Sequence, residues 1–263
     1  MTTAAGQDRL TRHRLSQRAE LAGRHAAELL FTAEMYGLQL DQLAELLGGT
    51  MRQARALAGR WSSSGLADLA VLSQGPPWVW LTRGGLQACG LKYSPGPPAL
   101  ARLEHTRAVT AARLALQSVP AYLDGGAHWR GERHLRARLG SHRGVTDHLP
   151  DAELHWPDAP AAGTPPAWAG ECWAIEAELT PKTLARTTAI MRELLARTGD
   201  YGCPAAEARV PGLLPRHVRA VYLCSPAAAG TVLRAKDTLG SLSPRIEVRM
   251  LPAAAALPSR TRA

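Results

Sequence analysis

Four acids and one lysine in the C-terminal half of this chain have the residue types that metal-dependent cleavage of a phosphodiester requires: Glu132, Asp151, Glu176, Glu178 and Lys182. Carboxylate oxygens hold magnesium, which usually keeps several waters. An ion held in this way positions a water for attack and offsets charge developing on a phosphate. The order of these residues therefore reads as a nuclease-type site. The competing explanation is a solvated acidic face beside a surface lysine, since short motifs of this kind also arise by chance.

The elements that carry these residues sharpen the reading. In Trp173-Ala174-Ile175-Glu176-Ala177-Glu178-Leu179, strand alternation puts Trp173, Ile175, Ala177 and Leu179 on one side and both glutamates on the other. The strand is expected to have one core face and one acidic face. Glutamate is depleted in strands, so two on one face ask for a reason. Thr180 is expected to cap a helix with Pro181 at its first position, which puts Lys182 in the first turn. A cation there opposes the helix dipole. The chain has three lysines against 28 arginines, so a lysine at this place is unusual.

Taken in order, a helix with Trp129-Arg130-Gly131-Glu132-Arg133, a strand with Pro150-Asp151-Ala152, and a strand Ile175-Glu176-Ala177-Glu178-Leu179-Thr180 followed by Lys182 resemble the PD-(D/E)xK nuclease superfamily. More narrowly, the chain resembles the replication-relaxation family of plasmids and integrative elements of actinobacteria and their relatives, over about residues 20–250. The resemblance implies an N-terminal winged helix followed by a nuclease-like α/β domain. It implies that Asp151 and Glu176 hold Mg2+ or Mn2+, that Glu132 orients the ion or a water, and that Glu178 or Lys182 activates or positions the attacking water. One departure stands out: the third motif of the superfamily is acid-x-lysine, and Glu178 occupies the lysine position. Some restriction endonucleases of the superfamily use Glu-x-Glu, and in others the lysine moves to a neighbouring helix, as Lys182 would.

The N-terminal half carries its own signal. Helices are expected over residues 22–36, 40–47 and 51–61, with Gly48-Gly49 as the turn and Thr50 as the cap of the third. In the third helix Met51, Ala54, Leu57, Ala58 and Trp61 recur at core spacing. Thr50 and the opposite side, with Arg52, Gln53, Arg55 and Arg60, supply the candidate DNA contacts. Helix, glycine turn and basic helix is the helix-turn-helix layout, in which the early residues of the second helix meet base edges. Strands over residues 69–72 and 78–82, joined by Ser73-Gln74-Gly75-Pro76-Pro77, fit a wing. Trp78 and Trp80 on one strand face are expected to be core. Dimerisation or protein docking is the alternative use of such a module.

The expected organisation is a basic N-terminus at 1–20, a winged helix-turn-helix at 21–93, a linker and bridging helix at 94–121, a PD-(D/E)xK-like domain at 122–252 and a disordered tail at 253–263. Ser94-Pro95-Gly96-Pro97-Pro98 marks the linker. Within the second domain the expected order is helix, strands, helix, strand, helix, strand, giving an α/β unit with a mixed sheet. Loops are expected at 160–166 and 200–215. His148 and His155 flank Asp151; alternation puts His155 on the Asp151 face and His148 on the other.

Composition bounds the partners. A formal charge of +9 and a pI near 10.0 favour a polyanion such as double-stranded DNA, since phosphate neutralisation releases counterions. Abundant alanine, arginine, glycine and proline resemble GC-rich coding, which accounts for part of that arginine. No run of apolar residues is long enough to span a membrane, and no secretion signal is read, so a soluble, cytoplasmic protein is expected. Cys89, Cys172, Cys203 and Cys224 lack the spacing of a zinc motif or a disulfide framework. The functional expectation is a DNA-binding, metal-dependent nuclease of a mobile element, involved in plasmid replication or transfer and possible as a homodimer. The alternatives are a non-catalytic accessory or repressor protein on a degenerate nuclease fold, and a docking partner of a replication initiator or relaxase.

Overall fold

The computed structural model describes residues 18–119, 122, 125–139, 148–159, 168–197 and 216–252. They divide into two compact units, with the division inside one helix, between Thr110 and Ala111. The expected loops at 160–166 and 200–215, the tail at 253–263 and most of the basic N-terminus lie wholly or nearly wholly outside the described residues.

The first unit contains α1 (Ala26–Glu34), β1 (Leu38–Gln39), α2 (Leu40–Leu46), α3 (Met51–Ser63), β2 (Ala67–Ala70), β3 (Trp78–Leu81) and α4 (Arg83–Ala88). A 3-10 turn at Leu100–Arg102 leads into α5 (Leu103–Gln117), the helix in which the division falls. The turn after α2 uses Gly48 in the left-handed region at φ 58°, where a side chain is costly. Thr50 and Gln53 then form a reciprocal capping box: the Thr50 hydroxyl accepts from the Gln53 amide at 3.3 Å, and Gln53 Oε1 accepts from the Thr50 amide at 2.7 Å. Ala54, Leu57, Ala58 and Trp61 are buried, as their spacing requires.

The small sheet of this unit is antiparallel in the order β1-β3-β2. Its first strand, Leu38–Gln39, is missing from the sequence reading because two residues are too short to show alternation. The second strand lies two residues earlier than expected, at Ala67–Ala70. Trp78 and Trp80 are buried, but so are Val79 and Leu81 between and after them, so both faces of β3 are covered. Arg107 of α5 is buried and pairs with Asp41 through Nη1 at 3.0 Å and Nη2 at 2.6 Å, while Gln42 donates to the Arg107 carbonyl at 2.9 Å. These bonds fasten the start of α5 to α2.

The second unit is a mixed five-stranded sheet in the order β4-β5-β6-β7-β8, with helices packed on it. Its elements are β4 (His128–Gly131), α6 (Glu132–Leu139), β5 (Ala152–His155), β6 (Cys172–Glu178), α7 (Leu184–Ala196), β7 (Arg219–Cys224), α8 (Pro226–Asp237), a 3-10 turn at Gly240–Arg245 and β8 (Ile246–Met250). The first three strands run antiparallel and the last three parallel. Trp129-Arg130-Gly131, read from sequence as helical, is strand β4, and Glu132 is the first residue of the helix that follows. The helix after β6 begins at Leu184 with Thr183 as its cap, not at Thr180 and Pro181. Thr183 captures the Arg186 amide at 3.2 Å, and Lys182 therefore lies before the helix, not in its first turn.

Candidate active site

Strand β6 places the two glutamates. All seven of its residues are buried, including Glu176 and Glu178 at 3% and 4% exposure. The acidic face of the strand is thus a covered one, not the solvated face of the competing explanation. The reason is its place: β6 is a central strand, and the helices that link the parallel strands pack against that face. Ala174, Tyr222 and Cys224 share that face and form one core with Ile190 and Met191 of α7 and Val232 of α8. Glu176 lies in register with Tyr222 and Glu178 with Cys224. The opposite face is aromatic, with Trp173 against Trp156 and Trp168 at ring separations of 5.3 and 5.0 Å.

Asp151 stands just before β5, and its Oδ2 accepts from the Ala177 amide at 2.8 Å, between the two glutamates in sequence. Asp151, Glu176 and Glu178 consequently repel one another in a poorly hydrated place. Burial foremost, then Asp151 and Glu178, outweigh the bond from His148 and push the Glu176 carboxyl up to about 7. Burial and the same acids raise the Tyr222 phenol far above its usual range. Burial and Glu178 push the Cys224 thiol up to about 12. The Tyr222 hydroxyl is buried and has no hydrogen-bond partner among the described residues.

Lys182 pairs through Nζ with Glu178 Oε1, reaching back from the connection before α7. Glu132 adjoins the cluster through its backbone, its amide donating to the Asp151 carbonyl at 2.8 Å. Its Oε1 accepts from Arg136 Nε at 2.9 Å and Nη2 at 2.6 Å. So Asp151, Glu176, Glu178 and Lys182 converge, while the Glu132 carboxylate is engaged by its own helix. In the first unit Arg52, Arg55 and Arg60 are exposed on one side of α3, and Gln53 shares that exposure while serving the cap with Thr50.

Sequence reasoning assigns His148 to the wrong face. Its Nε2 lies 2.8 Å from Glu176 Oε1, because residues 148–150 are not strand and alternation does not extend to them. The His148 backbone is held at both ends by α7 and its C-cap: its amide donates to Glu193 and its carbonyl accepts from Arg197 at 3.4 Å. Burial works against the His148 imidazolium, but Glu176, with Asp151 and Glu193, outweighs it and raises the ring's value. The three-residue interval from His148 to Asp151 was the available signal.

A second cluster centres on Glu153, which is fully buried. Its Oε1 accepts from Arg216 Nε at 2.5 Å and lies 2.9 Å from His217 Nε2; its Oε2 accepts from Arg216 Nη2 at 2.6 Å and lies 2.8 Å from His155 Nε2. Burial pushes the Glu153 carboxyl up, but His155, His217 and Arg216 outweigh it and hold the group well below the usual carboxylate range. His155 therefore belongs to this cluster and not to the Asp151 carboxylate whose face it was expected to share. Glu153, read only as a strand residue, is its hub.

Among the described residues, no helix is long and apolar enough to cross a membrane. Comparison of the chain with family models, with curated proteins and with solved structures finds no match.

Proposed function

We propose that this chain is a duplex-DNA-binding protein with a metal-dependent phosphodiesterase site in its second unit. The observation that carries the reading is the convergence of Asp151, Glu176 and Glu178 beside a buried Tyr222 hydroxyl that lacks a partner among the described residues. Like charges so placed need a cation or retained protons to coexist. Two carboxylates and several waters suffice for magnesium or manganese, and an unpartnered phenol beside them suits a hydrated ion. The PD-(D/E)xK resemblance, and within it the replication-relaxation family, supplies the same assignment, with α1 to α4 and the small sheet as the winged helix.

In this reading Asp151 and Glu176 would hold the ion, which when bound would supply polarisation of a water and an offset for charge on the scissile phosphate. His148 receives the proton that Glu176 gives up and keeps that carboxylate in place through its Nε2. Glu178 accepts the proton of the attacking water, and Lys182 carries the positive charge that faces the phosphate. Arg52, Arg55 and Arg60 contact the phosphates of the duplex, with Thr50 and Gln53 setting the start of the recognition helix.

The test is nicking of supercoiled plasmid by the purified protein with magnesium or manganese, beside Asp151→Asn. Cleavage by the wild type alone is expected, with duplex retention in a gel equal for both. If no metal supports cleavage and duplex is still retained, the accessory DNA-binding reading replaces the enzyme. One observation favours that second reading: the carboxylate of Glu132 is taken by Arg136.

A further inference from the structure

At the far end of β6 from the acid cluster, three donors of mixed chemistry meet. Cys172 opens the strand and lies in register with His155, and Glu153 shares their face two residues earlier. A carboxylate oxygen of Glu153, a ring nitrogen of His155 and the Cys172 sulfur all lie within 4.8 Å of one another. Cys172 stands four positions before Glu176, about 13 Å along an extended strand, so the thiol lies well away from the acid cluster.

Two other accounts of these residues fall short. A Cys-His-Glu relay needs the thiol on one ring nitrogen and the acid on the other. Here Glu153 Oε2 at 2.8 Å and Cys172 Sγ at 3.6 Å approach the same atom, His155 Nε2. A buried ion network explains Glu153 with Arg216 and His217, which already compensate its charge. It gives no reason for a thiol set against the ring nitrogen of the second imidazole. One proton on Nε2 serves either the carboxylate or the sulfur, whereas a cation at that point serves all three donors.

We propose that Glu153, His155 and Cys172 bind a zinc ion, with water as the fourth ligand. Thiolate, imidazole and carboxylate together are zinc donors and not a magnesium set. Zinc bonds of about 2.3 Å to sulfur and about 2.0 Å to nitrogen at a tetrahedral angle put those atoms about 3.5 Å apart. The observed separation is 3.6 Å. The carboxylate oxygen sits closer to Nε2 than that geometry asks and withdraws by about half an ångström on binding. Arg216 bonds both oxygens of Glu153 and His217 meets Oε1, so the carboxylate is held in place, and His217 is itself fixed by a 3.0 Å contact from Nδ1 to the Leu194 carbonyl. Such outer partners orient a ligating carboxylate. The His155 side chain is 23% exposed, which leaves a path for the ion and a place for the water. Binding releases the thiol proton of Cys172 and any proton on Nε2 to solvent. The ion fastens the ends of β5 and β6.

The test uses the full chain, reduced and freed of metal with a chelator, and titrated with cobalt(II) as a spectroscopic stand-in. A thiolate-to-cobalt charge-transfer band that saturates at one equivalent and is bleached by zinc is expected. Cys172→Ser should lose that band, and His155→Gln should bind zinc about tenfold more weakly or worse, in line with losses seen when zinc surroundings are altered. Asp151→Asn should leave band and affinity unchanged, which separates this site from the proposed nuclease site. Absence of the band in the wild type, its survival in Cys172→Ser, or unchanged zinc affinity in a folded His155→Gln would overturn the proposal.

Discussion

Burial is what makes Glu176 chemically unusual, and it ties this residue to pH. Its carboxyl is raised from 4.5 to about 7, so between these values the folded chain holds a proton that the unfolded chain has lost. Stability of the metal-free protein should therefore fall as pH rises through that window, by on the order of 3 kcal/mol at most. His148, raised from 6.5, adds stability that is present below that value and is lost as pH climbs through its folded value, a fall of the same sign. Glu153 works in the other direction and in another window: its lowered value gives stability present above 4.5 and lost in acid. Denaturant unfolding across pH 4.5 to 7 should show the fall in the wild type and a flatter profile in Glu176→Gln; equal slopes would contradict the assignment. Tyr222→Phe gives a second residue-scale expectation. Removing a buried hydroxyl that has no partner among the described residues should stabilise the metal-free protein by about 1 kcal/mol. The same change should weaken magnesium binding, measured by calorimetry, by about tenfold if that hydroxyl serves the ion's water.

Among the elements, α3 and α4 show how local chemistry sets position. The box between Thr50 and Gln53 starts α3 and so decides which way Arg52 and Arg55 point. Arg52→Ala with Arg55→Ala should weaken duplex binding and lower the magnitude of its salt slope by about 0.9 for each phosphate that is no longer neutralised. An unchanged slope in a filter-binding titration would move recognition away from α3. Helix α4 depends on close backbone approach: a Cβ on Gly85 would lie 2.0 Å from the Leu66 carbonyl oxygen. Backbone cannot yield as a side-chain tip can, so Gly85→Ala should cost roughly 3 kcal/mol, read as a lower thermal midpoint.

Across the whole molecule, the proposed function divides between the two units. In that proposal the +9 charge of the chain and the exposed arginines of α3 would serve retention of DNA, and the acid cluster in the second unit would serve cleavage. Raising salt should abolish retention of uncut duplex for the wild type and Asp151→Asn alike. Nicking by the wild type at low salt should require magnesium or manganese, with calcium supporting binding and little cleavage. Nicking by Asp151→Asn at the wild-type rate would detach the activity from this cluster.

Legibility from sequence followed the range of the forces involved. Helix caps and periodicity act over a few residues, so Thr50 with α3 could be read directly, as could the buried spacing of Ala54, Leu57 and Trp61. The acidic order Asp151, Glu176, Glu178 was equally visible, because alternation alone puts both glutamates on one side. What alternation cannot say is whether that side meets water. Pairing of β6 between β5 and β7, and the helices laid over it, decided that both glutamates are buried and that the Glu176 carboxyl is pushed up to about 7. Lys182 and His148 were misplaced for a related reason: each sits where regular structure stops, so neither a helical nor a strand period applies. The meeting of Glu153 with Arg216 and His217, residues 63 and 64 positions away, is a property of the fold alone, since no local pattern spans such a distance.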